Sequence, residues 1–263
     1  MINLIERFRR AIWTFKQPLT LLPSNLGMPV SDLFIWRSLN DWETFFELID
    51  LPALFNGLDN PNHSLTLVIF DSKGQKFLEK TIKIIPGRRS TLALSKLIGL
   101  NHGTVGTFSI FHAYTPRELI SVGSHIAERG YVSYRFRKSP IRSYVHGNLD
   151  AIAISENHSL QLLGGESILF RKYNLQYSFD KPNKYELGIV NPTPKKQKID
   201  CLVFLKEGKL IESQQIYLPS RGCCLFRITP EYKEQRIVIR SKLIMGRPIV
   251  FRFHNETLDV FHG

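Results

Sequence analysis

Two stretches of this 263-residue chain, about 134 positions apart, carry nearly the same pattern. Leu65-Thr66-Leu67-Val68-Ile69-Phe70-Asp71-Ser72-Lys73-Gly74 is answered by Ile199-Asp200-Cys201-Leu202-Val203-Phe204-Leu205-Lys206-Glu207-Gly208. In each, an apolar strand reaches a phenylalanine and a polar turn closes on glycine. A second strand then runs to Pro86-Gly87-Arg88 or to Pro219-Ser220-Arg221-Gly222. Self-similarity at a fixed offset points to one β module used twice, in which the matched turns and strands specify architecture rather than function.

Other anchors keep the same order. Ser31-Asp32-Leu33-Phe34 matches Ser167-Ile168-Leu169-Phe170, Asn60-Pro61 matches Asn191-Pro192, and Tyr134-Arg135-Phe136 matches Phe251-Arg252-Phe253. Short β-rich segments separated by turn residues, without long helical patterns between them, predict antiparallel sheets. The expected fold is all-β: tandem duplicated antiparallel β-sandwich domains preceded by an amphipathic helix. The expected boundaries are 1–29 for helix and linker, 30–138 for the first domain, 139–149 for a basic junction and 150–263 for the second domain. The series of Asn-Pro, Gly and Pro-Gly turns is similar to bacterial immunoglobulin-like and related sandwich modules, a resemblance that implies fold class only.

Residues 1–17 place Leu4, Ile5, Phe8, Ala11, Ile12 and Phe15 on one helical face and Glu6, Arg7, Arg9, Arg10 and Lys16 on the other, until Pro18 ends the pattern. Such a helix packs on its own domain or a neighbouring subunit; peripheral contact with an anionic membrane is the alternative. Thirty-five Lys and Arg against twenty-three Asp and Glu leave a net charge of +12, which favours polyanionic partners. Without an apolar run of spanning length or a secretory pattern, the expected location is the cytoplasm, with the membrane periphery as alternative. Three cysteines, all in the second half, read as buried thiols rather than a disulfide framework. No metal or cofactor is expected, since CxxC, HExxH and phosphate-loop spacings are missing.

The densest chemical cluster runs from Tyr131 into the junction. Tyr134, Arg135, Arg137, Lys138, Arg142, Tyr144, His146 and Asn148 are the candidate binding residues: Arg and Lys hold phosphate, sulfate or carboxylate, and aromatic rings stack on sugars or bases. The competing reading is a charged edge strand that discourages sheet-to-sheet pairing. His125, Glu128 and His146 are the weak catalytic candidates, drawn from a set that also contains His102, His112 and Arg129. A helix over Leu119–Glu128 would set His125 and Glu128 on one face. His254, Asn255, Glu256, Asp259 and His262 form a last polar group near the end.

These residues point first to a non-catalytic binding or structural protein that recognises an anionic glycan or a protein partner at the junction. One alternative is an enzyme acting on an anionic sugar or nucleotide-sugar, with arginines holding charge and histidines moving protons. The other is nucleic-acid binding through the basic junction, although no RNP, zinc-finger or helix-turn-helix signature accompanies it.

Overall fold

A computed structural model describes residues 20–38, 40–56, 62–98, 102–147, 149–232, 234–244 and 247–263. The helix expected over 1–17 lies outside the described residues. Among the described residues, twenty strands carry the fold. In the first half they are β1 (Val30–Ser31), β2 (Phe34–Arg37), β3 (Trp42–Leu48), β4 (Ser64–Asp71), β5 (Lys76–Lys83), β6 (Ser90–Ala93), β7 (Val105–His112), β8 (Ala127–Glu128), β9 (Tyr131–Phe136) and β10 (Ser143–His146). The second half adds β11 (Ile152–Ile154), β12 (Leu160–Leu162), β13 (Glu166–Asn174), β14 (Lys184–Val190), β15 (Gln197–Leu205), β16 (Leu210–Leu218), β17 (Cys223–Ile228), β18 (Gln235–Leu243), β19 (Ile249–His254) and β20 (Thr257–His262).

These strands form five sheets of four strands each: β12-β11-β1-β8, β10-β9-β3-β6, β13-β18-β15-β16, β17-β14-β19-β20 and β2-β7-β4-β5. The architecture is an all-β, propeller-like arrangement of five small blades, which overturns the expected pair of tandem immunoglobulin-like β-sandwiches. The deciding element is a sheet that the repeat does not predict. Val30–Ser31, at the start of the expected first domain, pairs antiparallel with Ile152–Ile154 from the expected second, and in parallel with Ala127–Glu128. The echoed segments do lie in sheets of like order, β2-β7-β4-β5 and β13-β18-β15-β16. That local likeness does not amount to a tandem repeat of closed modules, because the β12-β11-β1-β8 sheet draws on both halves. A hydrophobic pattern shows which face of a strand is buried, but not which distant strand lies beside it.

The cores also cross the midpoint of the chain. Phe34, Trp36, Leu67 and Phe108 pack with Phe46 and Val132 of another sheet and with Phe251 and Val260 from the second half. Leu33, Val68, Phe70 and Phe111 meet Ala151, Ile152 and Ile154 in a smaller cluster. Each such apolar side chain contributes about 1.5–3 kcal/mol on full burial. The turn after β4 makes a further cross-connection: Gly74, at φ +77°, lies so close to the opposing turn that a Cβ there would overlap the Ser220 carbonyl oxygen. The Cys223 amide donates to the Ser72 carbonyl at 3.1 Å beside it. Only a residue without a side chain meets both requirements.

Cys201, Cys223 and Cys224 are buried free thiols. Burial pushes Cys201 and Cys224 up to about 12 and Cys223 higher still, which keeps all three protonated and unreactive. The helix expected over Leu119–Glu128 is confined to Arg117–Ser121. Gly123, at φ +72°, turns the chain, and Glu128 belongs to β8 rather than to a helix.

Candidate anion-binding cleft

The two aromatic-Arg-Phe motifs, 117 positions apart, meet in space. Within each strand the two rings share one face and the arginine takes the other. Tyr134 and Phe251 approach to 5.0 Å between ring centroids, and Phe136 and Phe253 to 5.5 Å, both edge-on. Trp42 of β3 contacts all four rings, at 4.8 Å from Phe136 and 5.7 Å from Phe251. Arg37 at the end of β2 lays its guanidinium over Trp42, 3.5 Å from the ring centroid. Its Nη1 meets Glu186 Oε2 of β14 at 2.5 Å. Burial pushes the Arg37 guanidinium below its usual value, and Glu186 works in the opposite direction.

Over this cluster lies a cleft with about 670 Å³ of space, including its mouth. Phe136, Arg137, Lys184, Glu186, Arg227 and Phe253 are among its lining residues. Arg137 is placed by the turn after β9: its backbone sits at φ +51° and its amide donates to the Asp41 carbonyl at 2.9 Å. Lys184 begins β14, directly opposite Phe253 of β19 in the ladder. Arg227 of β17 lies opposite Glu186 and approaches its carboxylate at 3.3 Å. Glu186 is thereby flanked by two guanidiniums, one from beneath and one from the rim. Arg137 makes a 3.6 Å contact with the exposed Glu256, and Lys184 has no ion-pair partner among the described residues. The balance at the mouth is cationic, beside two aromatic rings.

The structure disperses the other candidate binding residues. Tyr134 is wholly buried, donates to the Ile35 carbonyl at 2.8 Å, and has its phenol pushed upward by burial. Arg135 pairs with Glu43 across the β3–β9 ladder, and Arg142 sits 4.0 Å over Phe45 and 3.7 Å from Glu47. Lys138 is exposed beside Arg137 in the same turn, and Tyr144 is exposed on β10. Asn148 lies outside the described residues. Of the predicted set, Arg137 alone lines the cleft.

The catalytic candidates do not share a cavity among the described residues. His125 contacts Asp150 at 3.5 Å. Glu128 is buried with His112, Oε2 to Nε2 at 2.8 Å, and accepts the Gly130 amide at 2.7 Å. His146 is exposed near the end of the chain, where its carbonyl accepts from His262 Nε2 at 2.7 Å. Burial lowers His262 to about 4. Of the remaining polar residues, His102 stacks on Phe77 at 3.9 Å, His254 meets Asn183, and Asp259 pairs with Arg252, whose guanidinium that pairing pushes upward. Among the described residues no group of three or more His, Cys, Asp or Glu is placed to hold a metal ion, and no helix is long and apolar enough to cross a membrane.

Sequence reasoning missed Arg37, Lys184, Glu186 and Arg227. The matching aromatic-Arg-Phe motifs were a usable signal, since two strands with the same apolar face can pack on each other.

No family model and no curated protein matches the chain. Among solved structures it is similar to a calcium-binding mutant of Bacteroides uniformis β-glucuronidase 2, with 10% identity and a TM-score of 0.16 over 94% of this chain and 28% of that one. It is also similar to oxalate decarboxylase from Bacillus subtilis at pH 4.6, with 13% identity and a TM-score of 0.12 over 85% of this chain and 66% of the other. The chain thus spans less than two thirds of either, and likenesses this distant carry no argument about fold or activity.

Proposed function

We propose that this chain is a non-catalytic binding protein that takes an anionic glycan in the cleft between its halves. The observation that carries the reading is the placement of Arg137, Lys184 and Arg227 beside the Phe136 and Phe253 rings in one cleft. Guanidinium and ammonium groups hold sulfate or carboxylate, while aromatic surfaces take the apolar faces of sugar rings. Arg37 supports this indirectly by offsetting the Glu186 charge from below, so that the carboxylate does not repel an anion at the mouth. No comparable observation favours the enzyme reading, whose candidate residues lie in separate surroundings.

The test is calorimetric titration with a sulfated tetrasaccharide, its desulfated counterpart and an oligonucleotide of equal charge, at two salt concentrations. The sulfated sugar should bind at least about tenfold more tightly than the other two, and Arg137→Ala or Lys184→Ala should each weaken it about three- to tenfold. Equal binding of the oligonucleotide, or affinity indifferent to both substitutions, would reduce the cleft to generic surface charge.

A further inference from the structure

We propose that a second surface, on the edge of the β13-β18-β15-β16 sheet, docks on an anionic lipid bilayer. The register of β13 against β18 jumps between Glu166 and Arg171, so the intervening residues leave the ladder as a bulge. Three consecutive apolar residues there face outward: Ile168 is 68% exposed, Leu169 64% and Phe170 41%. A bulge on an edge strand ordinarily serves to block further strand pairing, and polar residues do that without cost. Placing Ile, Leu and Phe at that position leaves apolar surface in water that folding does not require.

The surroundings of the bulge select the occupant. A groove beside it is lined by Ile168, Phe170 and Tyr217 together with Lys195, Lys196, Lys198 and Lys242. Arg240 and Lys242 lie over the Phe170 ring, at 5.1 and 5.7 Å from its centroid, and Lys196 lies over Tyr217 at 5.2 Å. The acidic groups nearby are already engaged: Glu166 with Lys195 at 3.9 Å, and Asp200 with Arg240 at 3.1 Å and Lys198 at 3.8 Å. A second copy of the chain seated symmetrically on this patch would set lysines against lysines, and like charges oppose that association. A bilayer with anionic headgroups supplies both complements, negative charge for the basic rim and an acyl boundary for the apolar tip. This surface is separate from the proposed glycan cleft and does not depend on that reading.

The test is vesicle co-sedimentation of the whole chain. Vesicles of phosphatidylcholine alone are compared with vesicles containing about a third phosphatidylserine, at low and high salt. Binding should require the anionic lipid and weaken with salt. The pair Lys195→Ser and Lys196→Ser should lower partitioning about 10- to 30-fold. The pair Leu169→Ser and Phe170→Ser should lower it about tenfold or more. All four positions are exposed or half-exposed, and thermal melts check that both variants fold. Three outcomes overturn the proposal: vesicle binding unchanged in the Leu169/Phe170 variant; no binding to anionic vesicles by the unaltered chain; or concentration-dependent dimerisation abolished by Leu169→Asp. Competition by a soluble acidic peptide that depends on Leu169 and Phe170, without vesicle binding, identifies a protein partner and likewise overturns it.

Discussion

The ion pair beneath the cleft gives the sharpest test of how the two halves are joined. Arg37 is buried under the aromatic cluster, and Glu186 is mostly covered, with 14% of its side chain exposed. Removing one member of a buried pair leaves the other uncompensated, at about 3–5 kcal/mol. For Glu186→Gln the expectation is the low end of that range, about 3 kcal/mol, because Arg37 keeps its stacking on Trp42. Arg37→Met preserves most of the side-chain volume and leaves Glu186 with Arg227 at 3.3 Å, so about 2 kcal/mol is lost, roughly half of it from the cation–π contact. The double variant removes both charges and should cost less than the sum of the single changes, with a coupling of about 1.5–3 kcal/mol.

Urea denaturation followed by tryptophan fluorescence measures these values, since Trp36 and Trp42 are both buried in the adjoining core. Additivity of the two substitutions within about 0.5 kcal/mol would refute the account, because independent sites add and a desolvated pair does not. A second readout separates stability from binding. Arg37→Met unmasks the Glu186 carboxylate at the cleft floor, and should weaken the sulfated tetrasaccharide although Arg37 lies beneath the lining.

Three further outcomes are expected. His262, held near 4 chiefly by burial, with its hydrogen bond to the His146 carbonyl working against that and the Arg247 charge adding to it, stays neutral in the folded chain while an unfolded histidine titrates near 6.5. Its contribution is therefore complete above pH 6.5 and is lost as pH falls toward 4; the full shift corresponds to about 3.4 kcal/mol, which partial exposure reduces to about 1–2 kcal/mol. Chemical denaturation at pH 7 and pH 4.5 should show that loss in the native chain, and His262→Gln should flatten it. Gly74→Ala and Gly208→Ala both place alanine at positive φ, yet only position 74 faces the Ser220 carbonyl. Gly208→Ala should cost about 1–2 kcal/mol and Gly74→Ala about 3 kcal/mol or more, and equal melting-temperature losses would show that the two turns are not packed together as described. His112→Phe strands one oxygen of the buried Glu128 and should cost about 2–4 kcal/mol, with Glu128→Leu added to it restoring part of the loss.

Much of the strand content was legible because alternation and turn chemistry are local. The segments ending at Gly74 and Gly208 became β4–β5 and β15–β16, both antiparallel and both with a register shift near the turn. Sheet membership was not legible. Val30–Ser31 is only two residues long, and nothing in its composition announces a partner at Ile152 or Ala127. Short strands buried on every side carry no alternation, so their placement depends on packing across the whole chain.

The candidate site failed in the sequence for a related reason. The run from Tyr131 to His146 is dense in binding chemistry, but density along a strand is not density in space. Adjacent residues point to opposite faces, so Tyr134 enters the core while Arg135 crosses to Glu43. Arg137 escapes this division because the turn after β9 lifts it at φ +51°, and only there does it approach Lys184 and Arg227 from the other half. Those two residues stand in unremarkable surroundings in the sequence. What joins them is the docking of β9 on β19 through Tyr134, Phe136, Phe251 and Phe253, of which Tyr134 and Phe251 are buried in the core and Phe136 and Phe253 reach the cleft. The core contact thus determines where the cations meet. Substitutions of Phe136 or Phe253 that preserve folding should therefore disturb ligand affinity through the positions of Arg137 and Lys184, as well as through any lost stacking on the sugar.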